Sequence, residues 1–196
     1  APESFLRNRG RRGFEGQKLG GHTAIIVVDM LNDFVTGVLK CDRAQRIIPP
    51  VARMLQAARE KNVHVIFSND CHISGDMECK YWGDHAIQGT HGAEIIPEFG
   101  PAPTDHIVPK RRYSGFFQTD LQMLLTELGV DTVIMAGMHA HMCVRHTSAD
   151  AFQYGYKVIV PTDAVESFTE EDFQSGIKYL KETYFARITT CDEIIK

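Results

Sequence analysis

Apolar and polar positions alternate along this chain in two periods. Thr23–Asp29 (TAIIVVD), Val63–Ser68 (VHVIFS), His106–Pro109 (HIVP), Thr132–Gly137 (TVIMAG) and Lys157–Val160 (KVIV) are short, largely apolar runs of strand length, rich in β-branched residues. Between them the spacing turns helical. Pro50–Lys61 (PVARMLQAAREK) repeats its apolar residues every three or four positions and carries Pro at its start. Asp120–Leu128 reads as a helix closed by Gly129. Cys143–Gly155 and Glu171–Thr183 read as two more, and Ala186–Thr189 as a last strand. The stretch from Asn69 to about Pro103 is loop-rich.

Strands that alternate with helices and are apolar on both sides predict an α/β fold. The expected architecture is a three-layer sandwich, a central, mostly parallel sheet with helices on both faces. Ligands of open parallel sheets bind beyond the carboxyl ends of the strands. Asp29, Asp70 and the turn before Cys143 all fall at such ends, and Lys110 follows a fourth strand. The chain divides into an N-terminal arm over 1–20 and one domain over 21–196. Arg7, Arg9, Arg11 and Arg12 make the arm basic, which reads as a solvated tail or as an arm packing on a neighbouring subunit.

Composition narrows the function classes. A net charge of −4 over 196 residues argues against a dedicated nucleic-acid or anionic-membrane surface. The longest apolar run, AIIVV, is strand-sized and far short of a membrane span. Nothing near Ala1 has the order of a signal peptide. The 5 cysteines (41, 71, 79, 143 and 191) are odd in number and scattered, so they form no disulfide framework and suit a reducing, cytoplasmic setting.

Cys143 opens a helix that follows a buried strand and a tight turn, VIMAGMHAHMCVRHTSADA. Free N–H groups and the helix dipole at that position favour thiolate, the nucleophilic form. Asp29 can accept the thiol proton and return it to a leaving amine, while a charged Lys110 holds the carboxylate and the thiolate. Singly each residue has a plain structural reading: a buried cysteine, a capping acid, a solvated lysine beside Arg111 and Arg112. Together they form a nucleophile and acid–base set for amides. A second group lies in NDCHISGDMECKYWGDHAIQGTHGAE, where Asp70, His72 and His85 offer a carboxylate and two imidazoles. Asp70 and His72 alternate along an extended segment, so both can face one side. Three such ligands with open positions suit Zn²⁺, Fe²⁺ or Mn²⁺. Trp82 and Phe34 are candidate pocket walls for a planar substrate, or core and interface aromatics.

The motifs VVDMLNDF, NDCH, WGDHAIQGTHGAE, VPKRRYSGF and GMHAHMCVRHTSADA, in this order from about His22 to Ile195, resemble those of the isochorismatase-like cysteine hydrolases. Nicotinamidases and N-carbamoylsarcosine amidases belong to that family. The resemblance implies a catalytic triad of Asp29, Lys110 and Cys143, and a divalent metal, zinc first, on Asp70, His72 and His85. It implies a pocket lined by Trp82, and a non-proline cis peptide between Met138 and His139 that aims N–H groups at an oxyanion. The implied function is a cysteine amidohydrolase that releases ammonia from a small amide through a thioester, nicotinamide being the first candidate. An N-carbamoyl or ureido compound is the second, because His139-Ala140-His141 and Cys71 depart from the nicotinamidase pattern. An isochorismatase needs no nucleophilic cysteine, and a non-catalytic binding member need not keep all three triad residues. The resemblance also implies a homo-oligomer, a dimer or a tetramer.

Overall fold

A computed structural model of the chain describes residues 18–196. The arm expected over 1–20, with its four arginines, therefore lies outside the described residues except for Lys18–Gly20.

Seven strands form one sheet: β1 (Thr23–Val28), β2 (His64–Asp70), β3 (His106–Lys110), β4 (Thr132–Met138), β5 (Lys157–Pro161), β6 (Val165–Glu166) and β7 (Arg187–Thr189). Their order is β3-β2-β1-β4-β5-β7, with the two-residue β6 on the end of β4. Every pairing is parallel. The helices are α1 (Asn32–Val35), α2 (Ile48–Glu60), α3 (Cys79–Trp82), α4 (Leu121–Glu127), α5 (Cys143–Gln153), α6 (Glu170–Thr183) and α7 (Cys191–Ile195).

The two faces of the sheet explain the continuous apolar runs. Alternate side chains of one strand leave on opposite sides. Ile25 and Val27 of β1 join Val51, Met54 and Leu55 of α2 and Ile194 of α7 in one core. Ala24, Ile26 and Val28 join Leu121 and Leu125 of α4, Val144 of α5 and Leu180 of α6 in the other. Both faces are covered, so every position of β1 after Thr23 is apolar, and the first charged residue is Asp29, just past the strand end. The expected sandwich is what the structure has.

The chain runs β1, β2, β3 outward on one side, then crosses back to lay β4 on the other side of β1. This reversal opens a crevice at the carboxyl ends of β1 and β4, the place where open α/β sheets bind ligands. Gly137 allows the close approach there. Its φ is +105°, and a Cβ would stand 2.0 Å from the Val28 carbonyl oxygen.

Candidate active site

Four strand ends supply the charged groups. Asp29 follows β1, Asp70 closes β2, Lys110 closes β3, and Cys143 begins α5 after the turn that leaves β4. Lys110 is 1 % exposed, its ammonium 2.9 Å from Asp29 Oδ2, 2.5 Å from Asp70 Oδ1 and 3.7 Å from Cys143 Sγ. It is not a solvated neighbour of Arg111 and Arg112 but the buried link between two carboxylates. Asp29 Oδ1 also accepts the Asp70 N–H at 2.7 Å. Asp29 itself sits at φ +53°, a left-handed conformation uncommon for a residue with a side chain.

Burial raises the Asp29 carboxyl to about 6, helped by the Asp70 charge and opposed by Lys110. Burial works against a charged Lys110 too, but Asp29 and Asp70 outweigh it and hold the amine protonated. The thiol departs from expectation. A helix N-terminus favours thiolate, yet burial pushes Cys143 well above its ordinary value, and the nearby Asp29 and Asp70 charges oppose the help from Lys110. The resting group is a thiol beside a carboxylate that is free to take its proton.

The turn Met138–Met142 shapes the approach to Cys143. The Met138–His139 peptide is cis. His139 O accepts N–H groups from Met142 at 2.9 Å and Val144 at 3.2 Å, and the Ala140 N–H donates to Glu166 O at 2.9 Å. Gly176 of α6 packs against this turn so closely that a Cβ would lie 2.7 Å from the Ala140 carbonyl carbon.

The loop after β2 folds back to join the second group. His72 pairs with the strand-like segment at Ile87: its N–H donates to Ala86 O at 2.9 Å and its O accepts from Gln88 N–H at 2.8 Å. That pairing brings His85 beside His72, with ring centroids 4.7 Å apart. An acceptor-only partner faces Nδ1 of each ring, so Nδ1 carries a proton and Nε2 is the nitrogen left to ligate. His72 Nδ1 donates to Asp76 Oδ2 at 3.0 Å, and His85 Nδ1 donates to Gly83 O at 2.8 Å. Each ring thus turns its Nε2 toward Asp70 Oδ2, at 3.6 and 3.8 Å. His72 Nε2 is buried with no hydrogen-bond partner among the described residues.

Glu78 adds a fourth group that the sequence reading missed. Ligand atoms of Asp70, His72, Glu78 and His85 all lie within 4.8 Å of one another, and all four residues are buried. Burial and the Asp70 charge push Glu78 up to about 7. Two buried carboxylates and two imidazole nitrogens, one of them without a hydrogen-bond partner among the described residues, fit a divalent cation. Asp76, also unforeseen, backs His72 and is itself held by the Arg111 guanidinium, which lowers its carboxyl far below the usual range.

Phe34 and Trp82 both line the cavity at Cys143, together with Tyr113, His139 and Phe168. Phe168 stacks on His139, with centroids 3.8 Å apart, and lies near-parallel to Trp82 at 6.2 Å. Trp82 Nε1 donates to Tyr113 Oη at 3.0 Å. The cavity they line measures only about 20 Å³.

The chain matches the isochorismatase domain over residues 23–193. It is similar to the crystal structure of N-carbamoylsarcosine amidase from Thermoplasma acidophilum (35% identity, TM-score 0.83, covering 88% of this chain and 98% of that one). It is similar to Nicotinamidase 3 of Arabidopsis thaliana, 32% identical over 87% of this chain and 86% of that protein. It is also similar to the pyrazinamidase of Pyrococcus horikoshii, solved in complex with zinc (30% identity, TM-score 0.81, covering 87% of this chain and 99% of that one). The match spans nearly all of the described residues: the chain belongs to the isochorismatase family of hydrolases.

Proposed function

We propose that this protein is a cysteine amidohydrolase that releases ammonia from a small, neutral, planar amide of the nicotinamide type. The observation that carries the reading is the buried Lys110 ammonium between Asp29 and Asp70, within 3.7 Å of Cys143 Sγ. It keeps Asp29 in reach of the thiol while remaining charged itself.

The chemistry follows from those groups. Asp29 takes the Cys143 proton as the sulfur bonds to the amide carbonyl carbon. The N–H groups of Cys143 and His139 stabilise the oxyanion. Collapse breaks the C–N bond; the proton on Asp29 goes to the nitrogen, ammonia leaves, and a thioester remains on Cys143. Asp29 then deprotonates a water that attacks the thioester, and its proton returns to sulfur as the acid departs. Asp70, His72, Glu78 and His85 would hold a divalent cation, with zinc favoured by the pyrazinamidase relative. Such an ion supplies Lewis-acid polarisation of a bound oxygen or nitrogen. Asp70 belongs to both groups, so the ion would also fix the position of Lys110.

The aromatic wall of Phe34, Trp82 and Phe168 favours a planar acyl group. The Thermoplasma relative motivates an N-carbamoyl compound as the second reading. The unpaired state of all five cysteines suits a reducing cytoplasm. No helix among the described residues is long and apolar enough to cross a membrane. We take the assembly to be a dimer or tetramer, which size-exclusion chromatography with light scattering checks.

The deciding assay is ammonia release from nicotinamide and from an N-carbamoyl amide panel, beside Cys143→Ala. Turnover of nicotinamide that the substitution abolishes supports the reading. Cys143-dependent turnover confined to carbamoyl compounds moves the protein to the second.

A further inference from the structure

The His139-Ala140-His141 turn carries an imidazole that the reaction above does not use. The His139 side chain is 4 % exposed and lines the cavity at Cys143. Its ring is held between aromatic groups, flat against Phe168 at 3.8 Å and edge-on to Phe34 at 6.5 Å. Neither Nδ1 nor Nε2 has a hydrogen-bond partner among the described residues. His141 differs, since its Nδ1 meets Ser167 Oγ at 3.1 Å.

A neutral imidazole carries one N–H donor and one bare acceptor nitrogen. Native folds rarely bury both unpaired, and such a group calls for a partner from outside the chain. Burial, with His141 nearby, lowers the His139 ring to about 3, so it meets a ligand uncharged. The charges of the cavity wall agree. Asp29 lines it together with Asp70 and Glu78, whose charges a bound cation would neutralise, and no lysine or arginine among the described residues does. Lys110, behind them, is committed to Asp29 and Asp70. A carboxylate on the substrate would meet the Asp29 carboxylate here, with no lysine or arginine among the described residues of this wall to pair with it.

Resting on the amidohydrolase reading above, we propose that the His139 imidazole determines specificity by hydrogen-bonding an uncharged nitrogen or oxygen on the acyl part of the amide. The pocket would thereby select neutral polar acyl groups over carboxylate-bearing carbamoyl compounds. The stacking on Phe168 fixes the ring plane, so the partner atom must lie in that plane, beside the cavity.

The test is calorimetric binding of nicotinamide, pyrazinamide, benzamide and N-carbamoylglycine to Cys143→Ala protein, with and without His139→Phe. Phenylalanine keeps the stack on Phe168 and removes both nitrogens. Benzamide also forfeits any other contact of the ring nitrogen, so the readout is the change in the nicotinamide-to-benzamide affinity ratio. We expect His139→Phe to lower that ratio about tenfold, the worth of one well-made hydrogen bond. Should that variant not fold, as judged by circular dichroism, His139→Leu carries the same comparison. An unchanged ratio overturns the proposal. So does tighter binding of N-carbamoylglycine than of nicotinamide, or no binding of any neutral amide. In those two cases ammonia release by the unsubstituted protein separates the readings. Cys143-dependent turnover of N-carbamoylglycine leaves the amidohydrolase standing without His139 as its selector. No turnover of either class removes the amidohydrolase as well.

Discussion

The backbone N–H of Asp70 donates to Asp29 Oδ1 at 2.7 Å, tying the carboxylate beside the thiol to one offered to a metal. Lys110 closes the same pair from the side-chain end. Both acids are buried, and Lys110 is the ammonium they share. Lys110→Met keeps the volume and removes the charge, leaving two carboxylates facing each other without the ammonium that joins them. Breaking a buried pair in this way costs about 3–5 kcal/mol. We expect the midpoint of urea unfolding to fall accordingly. Asp29→Asn in the same background should recover part of the loss, because it removes one of the stranded charges. A Lys110→Met protein as stable as the parent would mean that the triad is not held electrostatically.

The pH dependence follows from the Asp29 carboxyl, which burial raises to about 6. The proposed base works only when deprotonated. Below about 6 it carries a proton and cannot accept another from Cys143. The rate of kcat/KM should therefore climb as pH rises through about 6 and then level. A thiolate formed in the resting enzyme would instead give a limb set by the cysteine, which burial moves upward and away from this window. A profile from pH 4.5 to 8.5, measured with the metal content held constant, distinguishes the two. A rising limb centred well above neutrality would assign it to the thiol.

The sheet was legible in the sequence because burial on both faces leaves β1, β4 and β5 largely apolar and gives β2 the apolar run Val65–Phe67. The strand ends carried the signal for Asp29, Asp70 and Lys110, since a charged residue closing such a run must face the crevice. What escaped notice has a common cause. The β6 strand is two residues long, and α3 and α7 are four and five, too short to set a period. Glu78 reads as an ordinary surface acid in GDMECKYW, and its place beside His72 comes from the fold of a loop. Phe168 lies 25 positions beyond Cys143 and meets His139 only because β6 lies alongside the end of β4. The state of the thiol is hidden from the sequence for a different reason. The helix N-terminus is visible in a sequence, whereas the burial that outweighs it is not.

Metal binding gives a prediction about a residue that touches no metal. Asp76 accepts from His72 Nδ1 and is clamped by Arg111, the residue after Lys110. It thereby holds the tautomer that leaves Nε2 available. Outer carboxylates of this kind are worth about 10–100-fold in metal affinity. Asp76→Ala should weaken zinc binding by that factor in a chelator competition, and Glu78→Gln, which alters a ligand, by at least as much. Chelation should stop turnover in the parent, and added zinc should restore it. An Asp76→Ala protein that holds zinc as tightly as the parent would show that His72 is oriented by its backbone pairing alone.

A cavity of about 20 Å³ holds one water and no amide, so substrate entry requires the wall to move. Outside it lies a groove of about 450 Å³ that shares Glu78, Trp82 and Tyr113 with the inner cavity. Trp82 and Tyr113 are joined by one hydrogen bond of 3.0 Å, and Trp82 is 38 % exposed at the end of α3. These two side chains are the partition between the spaces. Tyr113→Phe removes the bond and keeps the ring. One such bond is worth about 1 kcal/mol, a factor of about five in the open population. The chain has 1 tryptophan, so its fluorescence reports the partition directly. We expect Tyr113→Phe to raise acrylamide quenching of Trp82. The rate of iodoacetamide labelling at Cys143, resolved by peptide mass spectrometry, should rise about fivefold. Cys71 lines a different groove and is half-buried, so its labelling rate should stay constant and serve as the control. Faster labelling at both cysteines would indicate general loosening of the fold. An unchanged rate at Cys143 would mean that substrate enters by another wall, and Phe168, stacked between Trp82 and His139, is then the side chain that must swing.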